Sequence, residues 1–401
     1  MRIALFAESF LPKWDGIANT LCRLLEHLAA KGHVSLMFAP AGAPTHYAAT
    51  RIVGLSSFSF PLYPDLKLVP PLVSVKDELT DFRPDLVHLV NPASMGVAGL
   101  RAARDLGVPV VASYHTDIPG YTALYGLELF RDPLWLYFRW LHNQADLNLC
   151  PSSFTQHELI AHRFERVKVW PHGVDTVCFN PAHRSATWRE RLSGGAPDAP
   201  LLLYVGRLAA EKRVAWLRLL LDSIPQARLA IVGDGPLRSV LEECFRGTST
   251  VFTGYLRGED LSHAYASADL FVFPSANETF GNVVLEAMAS GLPVIAPRSG
   301  GPVDQVASGQ NGLLFESQSL EALIAQTLHC VSDPSYMRRL GVAARAYAES
   351  QGWSAVMDEL LGEYKLLLEG HQARRWLRPD SVLPPGMSVS SRSSSDFNVP
   401  I

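Results

Sequence analysis

Short apolar runs alternate with longer stretches whose apolar positions recur at helical spacing. Residues 2–7 read as a buried strand, and 17–31 as an amphipathic helix ending at Gly32. Further strands are predicted near 34–39, 86–90, 109–114 and 147–150. These runs are apolar at consecutive positions, as in Val108-Pro-Val-Val-Ala-Ser113. That is the pattern of parallel strands covered by helices on both faces. Residues 181–200 interrupt the alternation with turn formers and read as a linker. A second series starts at Leu201 and predicts strands at 201–205, 228–232, 251–253, 270–273, 293–296 and 313–315. Helices follow from about 318 to 370. The expected organisation is therefore α/β, with one Rossmann-like domain over 1–180, a linker over 181–200 and a second such domain over 201–370. A tail over 371–401, rich in Ser, Pro and Arg without apolar period, is expected to be disordered.

Composition narrows the class of partner. The 401 residues are 48% hydrophobic and 18% charged, which suits two globular cores. A net charge of −4 argues against nucleic acid, a polyanion that calls for a basic surface. The five cysteines are scattered without a C-x-x-C pair, which suggests neither a zinc site nor a disulfide framework and fits a reducing cytosol. No run of about 18 apolar residues is present to span a membrane.

Ligands of open α/β sheets bind beyond the carboxyl ends of the strands, so the loops there carry the chemistry. After the first strand, Gly16 stands before a helix, where free N–H groups favour a phosphate; a plain strand-to-helix turn is the other reading. Arg207 and Lys212 follow the first strand of the second series, where two cations could neutralise a pyrophosphate; two solvated surface charges are the other reading. Gly233, in Val232-Gly-Asp-Gly-Pro236, offers a tight turn at which a nucleotide could approach the backbone, but Arg238 replaces the third glycine of a dinucleotide fingerprint. The segment Phe273–Met288 is the richest: Glu278 lies in a loop, and a helix is expected to start near Phe280, Gly281 and Asn282 with N–H groups facing a ligand. Glu286 lies along this apolar helix, wants a polar partner, and could accept both hydroxyls of a ribose.

The spacing from Glu278 to Glu286 resembles the E-x7-E motif of the family-4 retaining glycosyltransferases of the GT-B fold. Gly206-Arg-Leu, Lys212, Val232-Gly-Asp-Gly-Pro, Phe252-Thr-Gly-Tyr, Ala268-Asp269, Phe273-Pro-Ser and Gly300-Gly stand in the family's order across roughly residues 1–365. The resemblance implies two Rossmann-like domains with parallel sheets facing a cleft. It implies that Arg207 and Lys212 bind the donor diphosphate, that Glu278 and His115 face the donor sugar, that Glu286 takes the ribose, and that Gly16 approaches the phosphates. Read from the residues alone, a His after an apolar strand is equally a structural group.

Within that family, Glu8–Gly16, Leu62–Leu68, Ala112–Thr116, His142–Cys150 and Gly173–Thr176 resemble the sulfoquinovosyl-diacylglycerol synthases and related bacterial lipid mannosyltransferases. One departure stands out: Pro171-His172 precedes Gly-Val-Asp, where the sulfolipid enzymes tend to carry a basic residue. The implied activity is hexosyl transfer from a nucleotide-sugar to a lipid, with UDP-sulfoquinovose and diacylglycerol as one pair and GDP-mannose with a glycolipid or soluble glycan as the alternative. A non-catalytic nucleotide-sugar-binding protein on the same fold is the rival class. It would be free to lose Arg207, Lys212 or His115, all present here. No D-x-D motif occurs, so neither metal nor other cofactor is expected. The expected location is cytoplasmic, with peripheral contact on the inner face of a membrane. For that contact, the Phe58–Leu72 segment is favoured over Leu134–Trp140, which reads as buried. Against a membrane stands the near-neutral first domain, with 15 Lys plus Arg and 16 Asp plus Glu over residues 1–180.

Overall fold

The computed structural model describes residues 1–376, except 14, 61–62, 71–73 and 125. The tail expected to be disordered therefore lies outside the described residues from 377 onward; 371–376 continue a helix.

The first sheet is built from β1 (Arg2–Ala7), β2 (Val34–Pro40), β3 (His46–Tyr47), β4 (Thr50–Leu55), β7 (Leu86–Val90), β8 (Val110–Ser113), β9 (Leu147–Cys150) and β10 (Val167–Val169). Its order is β10-β9-β8-β7-β1-β2-β4-β3, parallel except for the β3–β4 pair. A separate antiparallel hairpin joins β5 (Phe58–Phe60) to β6 (Tyr63–Leu68). The second sheet holds β11 (Leu201–Val205), β12 (Arg228–Val232), β13 (Thr250–Gly254), β14 (Leu270–Val272), β15 (Val294–Pro297) and β16 (Gly312–Phe315). Its order is β13-β12-β11-β14-β15-β16. The central strands of both sheets thus form from the apolar runs of the sequence and are buried on both faces, while β3, β4, β10 and β13 at the sheet margins are partly exposed.

The strand order reverses beside β1 in the first sheet and between β11 and β14 in the second. Such switch points leave a crevice at the carboxyl ends of the strands. The loops after β1, β7, β8, β11 and β14 therefore line the space between the domains. Helix Gly16–Ala30 leaves the β1 loop with Asp15 as its cap, the side chain accepting from Ala18 N at 2.9 Å. Leu21, Leu24, Leu25 and Leu28 recur at helical spacing and bury against the sheet.

Three segments differ from the sequence reading. Residues 181–200 are not a free linker: they hold a turn at Pro181–His183 and a helix at Ala186–Leu192. Leu192 enters the second core, and Arg189 donates to the carbonyls of Pro197, Ala199 and Ser267. The last helix, Trp353–Trp376, was read as part of the second domain. Its Val356, Met357, Leu360, Leu361 and Tyr364 instead join the core of the first, with Ile3 and Leu5. The chain crosses outward at Trp170–Val174, with Trp170 in the first core and Val174 in the second. At the return, Gly173 packs so closely on Trp353 that a Cβ would lie 2.7 Å from its backbone.

Candidate active site

The second domain supplies most of the polar groups. The loop after β11 is held by Tyr204, whose buried hydroxyl donates to the Arg207 carbonyl at 3.1 Å, and by Leu208 N donating to Asp234 O at 2.9 Å. Gly233 has φ 134° and lies against Gly206, where a Cβ would sit 2.0 Å from the carbonyl oxygen. Its missing side chain is thus needed for the close packing of two loops. Lys212 forms an ion pair with Glu278, and Ser275 Oγ donates to the same Glu278 Oε1 at 3.2 Å. Burial disfavours the Lys212 cation, but Glu278 and the other groups around it outweigh this and raise its pKa. Gly300, at φ 69°, and Gly301 back the Glu278 loop; Gly301 N donates to Glu278 O at 2.8 Å.

Helix Asn282–Ala289 starts one residue after Gly281, which caps it in the left-handed region at φ 89°. Phe280 is buried beneath the turn. Glu286 faces the Tyr265 hydroxyl, which donates to it at 2.9 Å, and burial pushes its carboxyl up to about 7. The polar partner that the sequence called for is therefore Tyr265.

From the first domain, Gly16 opens its helix directly opposite Asn282: a Cβ on Gly16 would lie 2.8 Å from Asn282 Nδ2. Two helix N-termini, one per domain, face each other here. His115 follows β8; its N–H donates to Asn91 Oδ1 at 3.1 Å, and its carbonyl accepts from Thr279 Oγ1 at 2.6 Å. Its ring meets Ser113 at 2.9 Å and His172 at 3.3 Å. Burial, then the neighbouring His172, His88 and His142, holds its pKa well below the usual value. Contacts thus link Gly16 to Asn282, His115 to Thr279 and Lys212 to Glu278, while Phe280, Gly281 and Glu286 belong to the same turn and helix as Asn282 and Arg207 lies on the β11 loop.

Residues that sequence reasoning did not select also belong here. Ser275 and Tyr265 orient the two glutamates, and Asn91 accepts from both His115 N and Thr116 N. Glu8 is buried and accepts from Ala93 N at 2.7 Å and Gly96 N at 3.0 Å, with burial pushing it up to about 7. Asp117, two residues after His115, accepts from Gly120 N at 2.8 Å and caps the following turn.

Of the segments considered for membrane contact, Phe58 is exposed and Val69 is buried, while Leu62 and Leu72 lie outside the described residues. Helix Arg131–His142 buries Trp135, Phe138 and Leu141 but exposes Leu136 and Trp140, so the burial read for it holds for one face only. Among the described residues no helix is long and apolar enough to cross a membrane.

Two Rossmann-like domains whose switch-point loops meet in a polar cleft constitute the GT-B architecture. The fold matches that of the sucrose-phosphate synthase from Thermosynechococcus elongatus with a TM-score of 0.78, at 24% identity over 92% of this chain and 99% of that one. Residues 14–177 match Glycosyltransferase Family 4, and 199–333 match Glycosyl transferases group 1. The chain is 42% identical over 386 residues to a GDP-mannose-dependent alpha-mannosyltransferase of Mycolicibacterium smegmatis, covering 94% of this chain and 100% of that protein. It is 39% identical over 376 residues to a sulfoquinovosyl transferase of Arabidopsis thaliana, covering 90% and 73%. The chain belongs to the family-4, group 1 glycosyltransferases.

Proposed function

We propose that this enzyme transfers a hexosyl group from a nucleotide-sugar to a lipid acceptor with retention of anomeric configuration. What supports the reading is the Lys212–Glu278 ion pair, together with the close approach of Gly16 to Asn282 at the start of the helix that carries Glu286. The donor diphosphate is met by Arg207, Lys212 and the N-terminus of helix Asn282–Ala289, whose charge and dipole stabilise the phosphate as it leaves. Glu286 accepts the ribose hydroxyls. Glu278 and His115 flank the sugar; His115, neutral, offers hydrogen bonds rather than charge. The departing phosphate takes the acceptor's proton on the same face, so neither a carboxylate nucleophile nor a metal ion is needed.

Guanosine-linked mannose is better supported as donor than uridine-linked sulfoquinovose. At position 172 the side chain is a buried histidine that burial pushes down to about 4, and it is hydrogen-bonded to Asn282 at 2.8 Å. It therefore brings no cation to a sulfonate. The end-to-end likeness to a mannosyltransferase points the same way. The lipid acceptor is supported by the motifs shared with diacylglycerol-glycosylating enzymes. A depression near the Gly16 loop combines apolar walls, from Phe10, Leu11, Pro12, Pro40 and Ala43, with the polar Glu8, Ser9 and Lys13. The test supplies radiolabelled GDP-mannose, UDP-sulfoquinovose and UDP-glucose to the pure enzyme with diacylglycerol-containing vesicles or soluble glycans, followed by organic extraction. Label in the lipid phase from GDP-mannose is expected. Label confined to soluble glycan for every donor would overturn the lipid reading.

A further inference from the structure

A line of hydrogen bonds runs unbroken from the first-domain core to the start of helix Asn282–Ala289. The Tyr364 hydroxyl lies 2.6 Å from His88 Nδ1, and His88 Nε2 lies 2.9 Å from Ser113 Oγ. The same oxygen is 2.9 Å from His115 Nε2. His115 Nδ1 is 3.3 Å from His172 Nε2, and His172 Nδ1 is 2.8 Å from Asn282 Oδ1. Every member but Asn282 is buried. The three rings are neutral at pH 7, since burial pushes His88 to about 3, His172 to about 4 and His115 well below its usual value.

A neutral imidazole has one donor and one acceptor nitrogen, so each ring dictates the next. Starting from Asn282, the carbonyl oxygen accepts, so His172 carries its proton on Nδ1. His172 Nε2 must then accept, which places the His115 proton on Nδ1. His115 Nε2 accepts the Ser113 hydroxyl, Ser113 Oγ accepts from His88 Nε2–H, and His88 Nδ1 accepts from Tyr364. The chain closes with no donor facing a donor. Its direction leaves the Asn282 amide nitrogen turned toward Gly16. The reverse direction would turn the carbonyl oxygen there, facing an anionic ligand.

His172 is the link that joins the domains. It sits within the crossover Trp170–Val174, with its ring 4.8 Å from that of Phe280 and 6.3 Å from that of Trp353 on the returning chain. We infer that His172 is a positioning residue: it holds His115 in one tautomer and aims the Asn282 amide nitrogen into the donor cleft, so that both respond to how the domains sit. The inference rests on the donor-site reading given above.

Two measurements test it. The first is long-range proton–nitrogen correlation on the full chain labelled with nitrogen-15 histidine, without nucleotide at pH 7.5, with signals assigned through H88Q, H115Q and H172Q. The expected result is Nδ1–H for His115 and His172 and Nε2–H for His88. Nε2–H, protonated or averaging signals at His115 or His172 would overturn the inference while leaving glycosyl transfer untouched. The second compares His172→Phe, which keeps the ring but neither hydrogen bond, with His172→Gln, which can donate and accept. The Phe variant should lose about tenfold or more in kcat/KM for the donor, mainly through KM, and Gln should recover to within about threefold of the wild type. Wild-type kcat/KM in the Phe variant, or losses that simply follow melting temperature in both, would overturn it. Should the Phe variant fail to fold, the tautomers of the wild-type protein still decide.

Discussion

Glu286 lies among Val284, Leu285, Ala287 and Met288 and receives a hydrogen bond from Tyr265. Burial there raises its carboxyl to about 7. Two ribose hydroxyls would add donors to the carboxylate, and hydrogen bonds to the charged form favour it. Donor binding should therefore weaken as pH falls through about 7, since the proton must first be removed. Glu286→Gln should bind donor about tenfold or more weakly at pH 8 and lose this dependence, because no ionisation remains. Donor affinity measured from pH 5.5 to 8.5 checks both points; an unaltered affinity for the Gln variant at pH 8 would remove the ribose role. Lys212 and Glu278 pose the complementary case. Each is mostly buried, and each supplies the charge that makes the other tolerable.

At the level of elements, the buried strands of both sheets were legible because parallel strands covered on both faces leave continuous apolar runs. β4 and the β5–β6 hairpin were not, since Thr50–Leu55 alternates burial and exposure at the sheet's margin and the hairpin stands apart from both sheets. The turn formers of 181–200 suggested a linker, but Asn180 and Ser185 cap the turn and helix that follow. Helix Trp353–Trp376 was readable as a helix from its apolar period, yet nothing local says which core that period faces; only the return crossover does. The loops after β11 and β14 could be singled out because ligand chemistry collects at strand ends. That Lys212 would meet Glu278 could not, since they stand 66 positions apart in the chain. His172 was visible only as a departure before Gly-Val-Asp, because its ring partners lie 57 and 110 residues away.

Across the whole molecule, the domains are joined by more than the two crossovers. Ser152 Oγ donates to Thr279 O at 2.7 Å, and the Asp304 carboxylate accepts from Ser153 N at 2.5 Å. Acid stability reflects a balance of buried groups. His88, His115, His142 and His172 are all held well below their usual pKa by burial. Unfolding frees them to take protons below about pH 6.5, so each lowers stability as pH falls, by up to about 1.4 kcal/mol per pH unit. Glu8, Glu158 and Glu286, raised to about 7 by burial, act oppositely. Folded, they bind protons before the unfolded chain does near 4.5, so stability rises as pH falls from 7 to 4.5. Four groups against three leave one uncompensated, so stability falls gently between pH 6.5 and 4.5, by up to about 1.4 kcal/mol per pH unit. Below 4.5 the histidines act alone, joined by Asp234, Asp333 and Asp358, whose pKa values hydrogen bonds hold down. Melting temperature should fall gently from pH 6.5 to 4.5 and steeply below; a decline as steep above pH 4.5 as below it would contradict this balance.

The central claim is that the donor binds through the loops after β11 and β14. Calorimetric titration of GDP-mannose into the wild type, Arg207→Ala and Glu286→Ala tests it most directly, with melting temperature recorded for each. Both variants should remain folded and lose about tenfold or more in affinity, the loss expected when charge-assisted hydrogen bonds to a ligand are removed. Wild-type affinity in both variants would contradict the site.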